Sequence, residues 1–110
     1  KVTNGNEVSR VLTFLASGRC RASGDWKVRF KQNAEKMLSG NLLQVAEVLK
    51  TLLILQLEKP LSFREKKMLD RARHMLITEM CTSRSMTELE AIGVFDKALL
   101  KANLRFPERM

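Results

Sequence analysis

The apolar positions of this chain recur three or four residues apart in successive stretches, which is the period of an amphipathic α-helix. One stretch, "LLQVAEVLKTLLILQL", is hydrophobic almost all round, so its helix is predicted to lie at the centre of the fold. No segment of any length alternates with period two. The pattern therefore predicts an all-α fold, a compact bundle of about five helices. They are predicted over 7–17, 25–39, 41–58, from "SFRE" at 62–65 to about "CTSRS" at 81–85, and over 86–103.

Several helix ends have local signals. Ser62 and Glu65 have the spacing of a capping box, in which each side chain binds the free backbone N–H of the other. Ser85 and Glu88 repeat that spacing before the fifth predicted helix and form a second possible box. Gly18 is expected to end the first helix in a left-handed conformation. The last residues, "RFPERM", are expected to be a frayed tail.

Length and composition fit one small helical domain over 1–110, with ordered helices over about 7–103. The chain has 110 residues, 45% of them hydrophobic, and no apolar run of the roughly 18 residues that a membrane span needs. The start of the chain lacks the apolar core of a signal peptide, which favours a reducing cytoplasm with both Cys20 and Cys81 as free thiols. These thiols and His74 lack the spacing of a metal site, and no phosphate loop or catalytic cluster is present. We therefore expect no metal, no cofactor and no enzymatic activity.

The net charge of +8 favours a polyanionic partner, with nucleic acid ahead of an anionic membrane surface. The cations fall into two groups on predicted helices. The second helix carries Lys27, Arg29 and Lys31, and the fourth carries Arg64, Lys67, Arg71 and His74 at spacings of 3, 4 and 3, bordered by Lys66 and Arg73. Such groups can bind phosphates, or they can form an ordinary solvated surface.

The only tryptophan, Trp26, lies beside the first of these groups. It shares a helical face with Phe30 and Ala34, which allows it to be a core residue. It also lies in the first turn of its helix, at the edge of a bundle, where an exposed indole could stack on an unpaired base or wedge into a base step. The spacing alone leaves both interpretations open.

Taken in order, these segments resemble the C-terminal helical domain of the CarD/CdnL family of bacterial transcription regulators. The resemblance covers about residues 24 to 80 and runs through "DWKVRFKQNAEKMLSGNLLQVAEVLKTL" and "EKPLSFREKKMLDRARHMLITEM". It is carried by Trp26, Arg29, Phe30, Asn33, Lys36, Leu38, Ser39, Gly40, 45–48, Leu61, Ser62, Glu65, Lys66, Met68, Leu69, Ala72 and Arg73. The chain departs from the family pattern at Val28, Phe30 and Pro60, where arginine, tyrosine and glycine are common.

The resemblance implies a function. Family members bind RNA polymerase through an N-terminal β domain, which this chain does not contain and which we expect to have been removed from it. Their helical domain contacts promoter DNA at the upstream edge of the transcription bubble, without sequence specificity, through the minor groove and the backbone. Trp26 is then the wedge that stabilises the open complex, and Arg29, Lys31 and Lys66 match basic positions near the backbone.

The predicted DNA-binding set therefore combines the resemblance with the charge pattern, and we expect a cytoplasmic, nucleoid-associated monomer. The main alternative is a basic module that docks on an acidic protein partner, with Trp26 as an anchor. A third option is association with RNA or an anionic membrane. The residues predicted to bind DNA are Trp26, Lys27, Arg29, Lys31, Arg64, Lys66, Lys67 and Arg71.

Overall fold

The computed structural model describes residues 5–18, 26–58 and 60–106, and the side chains of residues 5–7 and of Trp26 lie outside that description. The described residues form five α-helices and no strand, so the predicted fold class is confirmed with small shifts at the helix ends. No helix in this part of the chain is long and apolar enough to cross a membrane. The helices are α1 (Gly5–Ser17), α2 (Trp26–Leu38), α3 (Leu42–Glu58), α4 (Phe63–Arg84) and α5 (Glu88–Leu100).

The predicted central position of α3 is confirmed. Its buried residues lie on several sides of the helix, because α1, α2 and α4 all pack against it. Helix α4 is the longest and packs against each of the other four helices. Together α3 and α4 form the frame on which α2 is held. The largest fully buried side chains include Leu49, Leu52, Leu76, Met80 and Phe95.

A buried lysine caps the end of α1. Lys50 is 3% exposed, and its ammonium donates hydrogen bonds to the carbonyl oxygens of Phe14 at 2.9 Å and Gly18 at 2.6 Å. A cation there is favoured by the negative end of the helix dipole as well as by the unpaired carbonyls. The helix ends where the sequence predicted, but Gly18 does not have the left-handed conformation expected of it. The terminator is a side chain from α3, which local sequence cannot reveal.

The capping box at the start of α4 is confirmed, and the one predicted at the start of α5 is wrong. Ser62 and Glu65 exchange both hydrogen bonds of the box. Ser85 instead ends α4 in a left-handed conformation, with φ 51° and ψ 46°. The box of α5 is formed two residues later by Thr87 and Glu90, which have the same spacing. Hydrogen bonds with Thr87 stabilise the Glu90 carboxylate and lower its pKa, so this stabilisation is present at neutral pH and is lost as the pH falls through that lowered pKa.

The expectation of a frayed C-terminal tail is wrong for the part of it that the structure describes. Phe106 is 7% exposed and stacks on Phe95 with ring centroids 5.2 Å apart. Its backbone N–H donates to Asp96 Oδ1 at 2.9 Å, and the guanidinium of Arg73 lies over its ring at 5.6 Å. Leu104 is buried as well. Residues 107–110 lie outside the described residues.

This packing predicts that Phe106→Ala lowers the free energy of unfolding by about 3 kcal/mol or more, because a buried aromatic ring and its stacking interaction are removed. Denaturant unfolding followed by circular dichroism measures it. Leu100→Ala is the matched control, since Leu100 is 51% exposed on the neighbouring helix. If Phe106→Ala costs no more than this control, the ring of Phe106 does not contribute to the stability of the core.

Candidate nucleic-acid interface

A buried ion pair joins the start of α2 to the start of α4. Arg29 donates from Nε and Nη2 to Glu65 Oε2, each at 3.3 Å, and the two side chains are only 7% and 4% exposed. The other carboxylate oxygen of Glu65 accepts hydrogen bonds from the backbone N–H and the hydroxyl of Ser62. One carboxylate therefore closes the capping box of α4 and holds α2 against it.

This position corrects the expectation for Arg29, which the sequence grouped with solvent-facing cations. A guanidinium that left the pair to reach a phosphate would leave the Glu65 carboxylate buried without its cation, at a cost of several kcal/mol. Arg29 therefore holds α2 against α4, and we do not include it among the groups proposed to contact DNA. Arg73 also lies in the interior, 7% exposed under Phe106, and does not border a solvent-facing surface.

The other predicted cations are exposed and lie near the buried pair along their helices. Lys27 and Lys31 flank Arg29 on α2, and Arg64 and Lys66 flank Glu65 on α4. On a helix, residues one position apart point about 100° apart and residues two positions apart point about 160° apart, so these four side chains lie away from the buried direction, and all four are exposed. We call these exposed cations the basic surface; its members are Lys27, Lys31, Arg64, Lys66, Lys67 and Arg71.

The basic surface has few internal counter-charges. Within the described part of the chain, Lys31, Arg64, Lys66 and Arg71 form no ion pair with a carboxylate. The salt bridge between α2 and α3, from Lys36 to Glu47 at 3.0 Å, lies further along α2. The positive charge of these four side chains is therefore available to an anionic ligand.

The other residues that could carry chemistry, a histidine and the cysteines, do not form a site within the described residues. His74 is exposed on α4, and the described residues contain no group of His, Cys, Asp and Glu side chains able to hold a metal ion. Cys81 is a half-buried free thiol, and Cys20 lies outside the described residues.

Trp26 is the first residue of α2, as its sequence position predicted. It lies three residues before Arg29, which corresponds to about 4.5 Å along the helix axis, so its backbone is about one helical turn from the residue that pairs with Glu65. Its side chain lies outside the described part of the structure. Exposure of the indole, which the wedge role implied by the resemblance requires, therefore stays a prediction.

Sequence reasoning missed one aromatic residue at this site. Phe63 is the first residue of α4, is 66% exposed, and has the ammonium of Lys67 over its ring at 4.6 Å. It repeats the arrangement that drew attention to Trp26: an aromatic residue in the first helical position with cations beside it. That repetition is present in the sequence, but the capping box alone explains "SFRE" and gives no role to Phe63.

Comparison with known proteins identifies the family of this chain. The family model for the CarD C-terminal domain matches residues 10–96. The chain belongs to the CarD C-terminal domain family. It is also 41% identical over 87 residues to the protein named "Putative transcription factor YdeB" of Bacillus subtilis (strain 168). That match covers 79% of this chain and 57% of the relative, so the chain spans little more than half the length of that CarD relative.

The buried pair predicts a large cost for Arg29→Met. We expect the free energy of unfolding to fall by about 3–5 kcal/mol, because the Glu65 carboxylate stays buried without its cation. The double variant Arg29→Met/Glu65→Gln should recover a good part of this, since no isolated buried charge remains. Thermal or denaturant unfolding measures both.

Lys31→Met provides the control for the pair, because it removes an exposed cation one half-turn away on α2 and should change stability by no more than about 0.5 kcal/mol. A stability of Arg29→Met close to that of Lys31→Met would show that the ion pair does not hold α2 in place.

Proposed function

We propose that this domain is the DNA-binding part of a bacterial transcription regulator that contacts promoter DNA at the upstream edge of the transcription bubble and stabilises the open complex of RNA polymerase. The observation that carries the proposal is the basic surface, whose exposed cations lie on the two helices that one buried ion pair joins. Membership of the CarD C-terminal domain family and the likeness to a protein named as a transcription factor support it.

The basic surface supplies affinity that does not depend on sequence. Each lysine or arginine that neutralises a phosphate releases counterions, so binding tightens with the number of phosphates neutralised and weakens with salt. The exposed cations are spread over two helices, and no single recognition helix carries all of them into a DNA groove. This distribution favours contacts with the phosphate backbone over direct reading of the bases.

Trp26 is proposed to supply the preference for melted DNA. An indole that inserts between base pairs must unstack them, which costs a few kcal/mol in intact duplex and less at the junction of duplex and bubble. Binding at that junction opposes re-annealing and lengthens the life of the open complex. A domain of this kind binds DNA weakly by itself, and a polymerase-binding domain in the same protein would raise its effective concentration at the promoter.

Charge reversal on the basic surface tests the first part of the proposal. Lys66→Glu or Lys31→Glu should weaken binding to duplexes of any sequence. The slope of log affinity against log salt should fall in magnitude by about 0.9 for each phosphate that is no longer neutralised. Fluorescence anisotropy at several salt concentrations measures both quantities.

Lys97→Glu is the matched control, because it makes the same charge change at an exposed position on α5, a helix that does not pack against α2 in the described structure. Equal effects of Lys66→Glu and Lys97→Glu would mean that net charge, and not this surface, determines binding. Binding that an acidic protein displaces better than DNA would favour the alternative of a protein-docking module.

Trp26→Ala separates a wedge from a core residue. As a wedge, it should leave the melting temperature and the salt slope nearly unchanged, because neither core area nor charge is removed. In the full-length regulator with RNA polymerase, open complexes should decay faster, as measured by their lifetime after challenge with a competitor.

A core role predicts the opposite pattern for Trp26→Ala. The free energy of unfolding would fall by roughly 3–5 kcal/mol, and open-complex lifetime would follow the folded fraction. Measuring unfolding and lifetime on the same preparation decides between the two, and a fall of that size in stability would remove Trp26 from the proposed site.

A further inference from the structure

Among the described residues, the two most exposed large apolar side chains in the first turns of helices are Phe63 and Leu89, and their surroundings differ in charge. Phe63, at the start of α4, is 66% exposed and lies among Arg64, Lys66 and Lys67. Leu89, in the first turn of α5, is 82% exposed and lies between two glutamates. Exposing an apolar side chain has a free-energy cost in either place, but only Phe63 combines an aromatic ring with cations that attract nucleic acid.

The ring of Phe63 is positioned and not merely exposed. The Lys67 ammonium lies 4.6 Å from its centroid, one helical turn further along α4, which is a cation–π geometry. Glu65, two residues after Phe63, is fixed by the capping box and by Arg29. Helix α4 therefore presents the ring and the ammonium together, beside the start of α2.

We infer that Phe63 is a second nucleic-acid contact, whose ring stacks on an unpaired base of the melted strand while Lys67 binds the adjoining phosphate. The inference rests on the proposed function and extends it from the duplex side of the junction to the single strand. Aromatic rings with cations nearby are the usual elements of single-strand binding, because every base has a face on which a ring can stack. The ring is 66% exposed, so it keeps accessible surface for a base beside the ammonium.

The stacking contact requires an unpaired base, so it forms with single-stranded DNA and not with duplex. In intact duplex the base faces are covered by their neighbours, so an exposed ring without an insertion point gains little there. Phe63 should therefore discriminate between a forked DNA with unpaired tails and a fully paired duplex of the same length. The basic surface, by contrast, should act on both.

The test measures the affinity of this chain for those two probes by fluorescence anisotropy at low salt. Phe63→Ala should weaken binding to the fork about tenfold, the size expected when one base–aromatic stack is removed, and leave the duplex affinity within about twofold. Phe63→Trp should restore fork binding, since it keeps a stacking surface. Leu89→Ala, the matched control, should change neither affinity, and all three variants should keep the parent melting temperature because both residues are exposed.

Each other outcome overturns a defined part of the proposal. Unchanged fork binding in Phe63→Ala, together with weakened binding in Lys66→Glu, removes the second contact and leaves the proposed function standing. An equal weakening on fork and duplex assigns the ring to the DNA backbone and contradicts stacking. Failure of the unmodified chain to bind either probe even weakly at low salt overturns the proposed function and this inference with it.

Discussion

The geometry of the proposed site depends on the ion pair between Arg29 and Glu65. Apolar contacts alone would allow α2 to slide or rotate on α3 and α4, because apolar surfaces have little directional preference. A guanidinium that donates twice to one carboxylate oxygen, while Ser62 binds the other, allows few alternative geometries. The desolvation cost of burying both charges is offset only in that arrangement.

The cations of this chain are divided between buried and exposed positions, which explains why the net charge is a poor measure of the charge available to a partner. Some of the cations counted in the +8 stabilise the fold: Arg29 pairs with Glu65, Lys50 caps α1, and Arg73 lies under an aromatic ring. Others, such as Lys31 and Lys66, are exposed without an ionic partner among the described residues. Only the tertiary structure distinguishes these two groups, since buried Arg29 and exposed Lys31 lie two residues apart on the same helix.

The features that were predicted correctly from the sequence are those with local or periodic signals. The number of helices, the central α3 and the Ser62 capping box follow from apolar period and from residues three apart. The prediction failed where two local signals competed or where a distant residue decided. Ser85 and Thr87 offer the same capping pattern two residues apart, and the left-handed turn at Ser85 selects the later one. The burial of Arg29 depends on a partner in another helix, which a local sequence pattern cannot reveal. The position of the Trp26 indole remains a prediction.

The packing of Phe106 on Phe95 has a practical consequence for the boundary of this domain. The family match stops at residue 96, whereas the described core continues through Leu104 to Phe106. A recombinant fragment cut where the similarity ends would shorten α5 and uncover one face of Phe95 and the guanidinium of Arg73. Such a fragment would expose apolar surface that promotes aggregation, and proteases would cleave it more readily. It would still contain every residue matched to the family. The folded domain therefore includes Phe106, the aromatic residue that packs on Phe95 beyond the end of the family match.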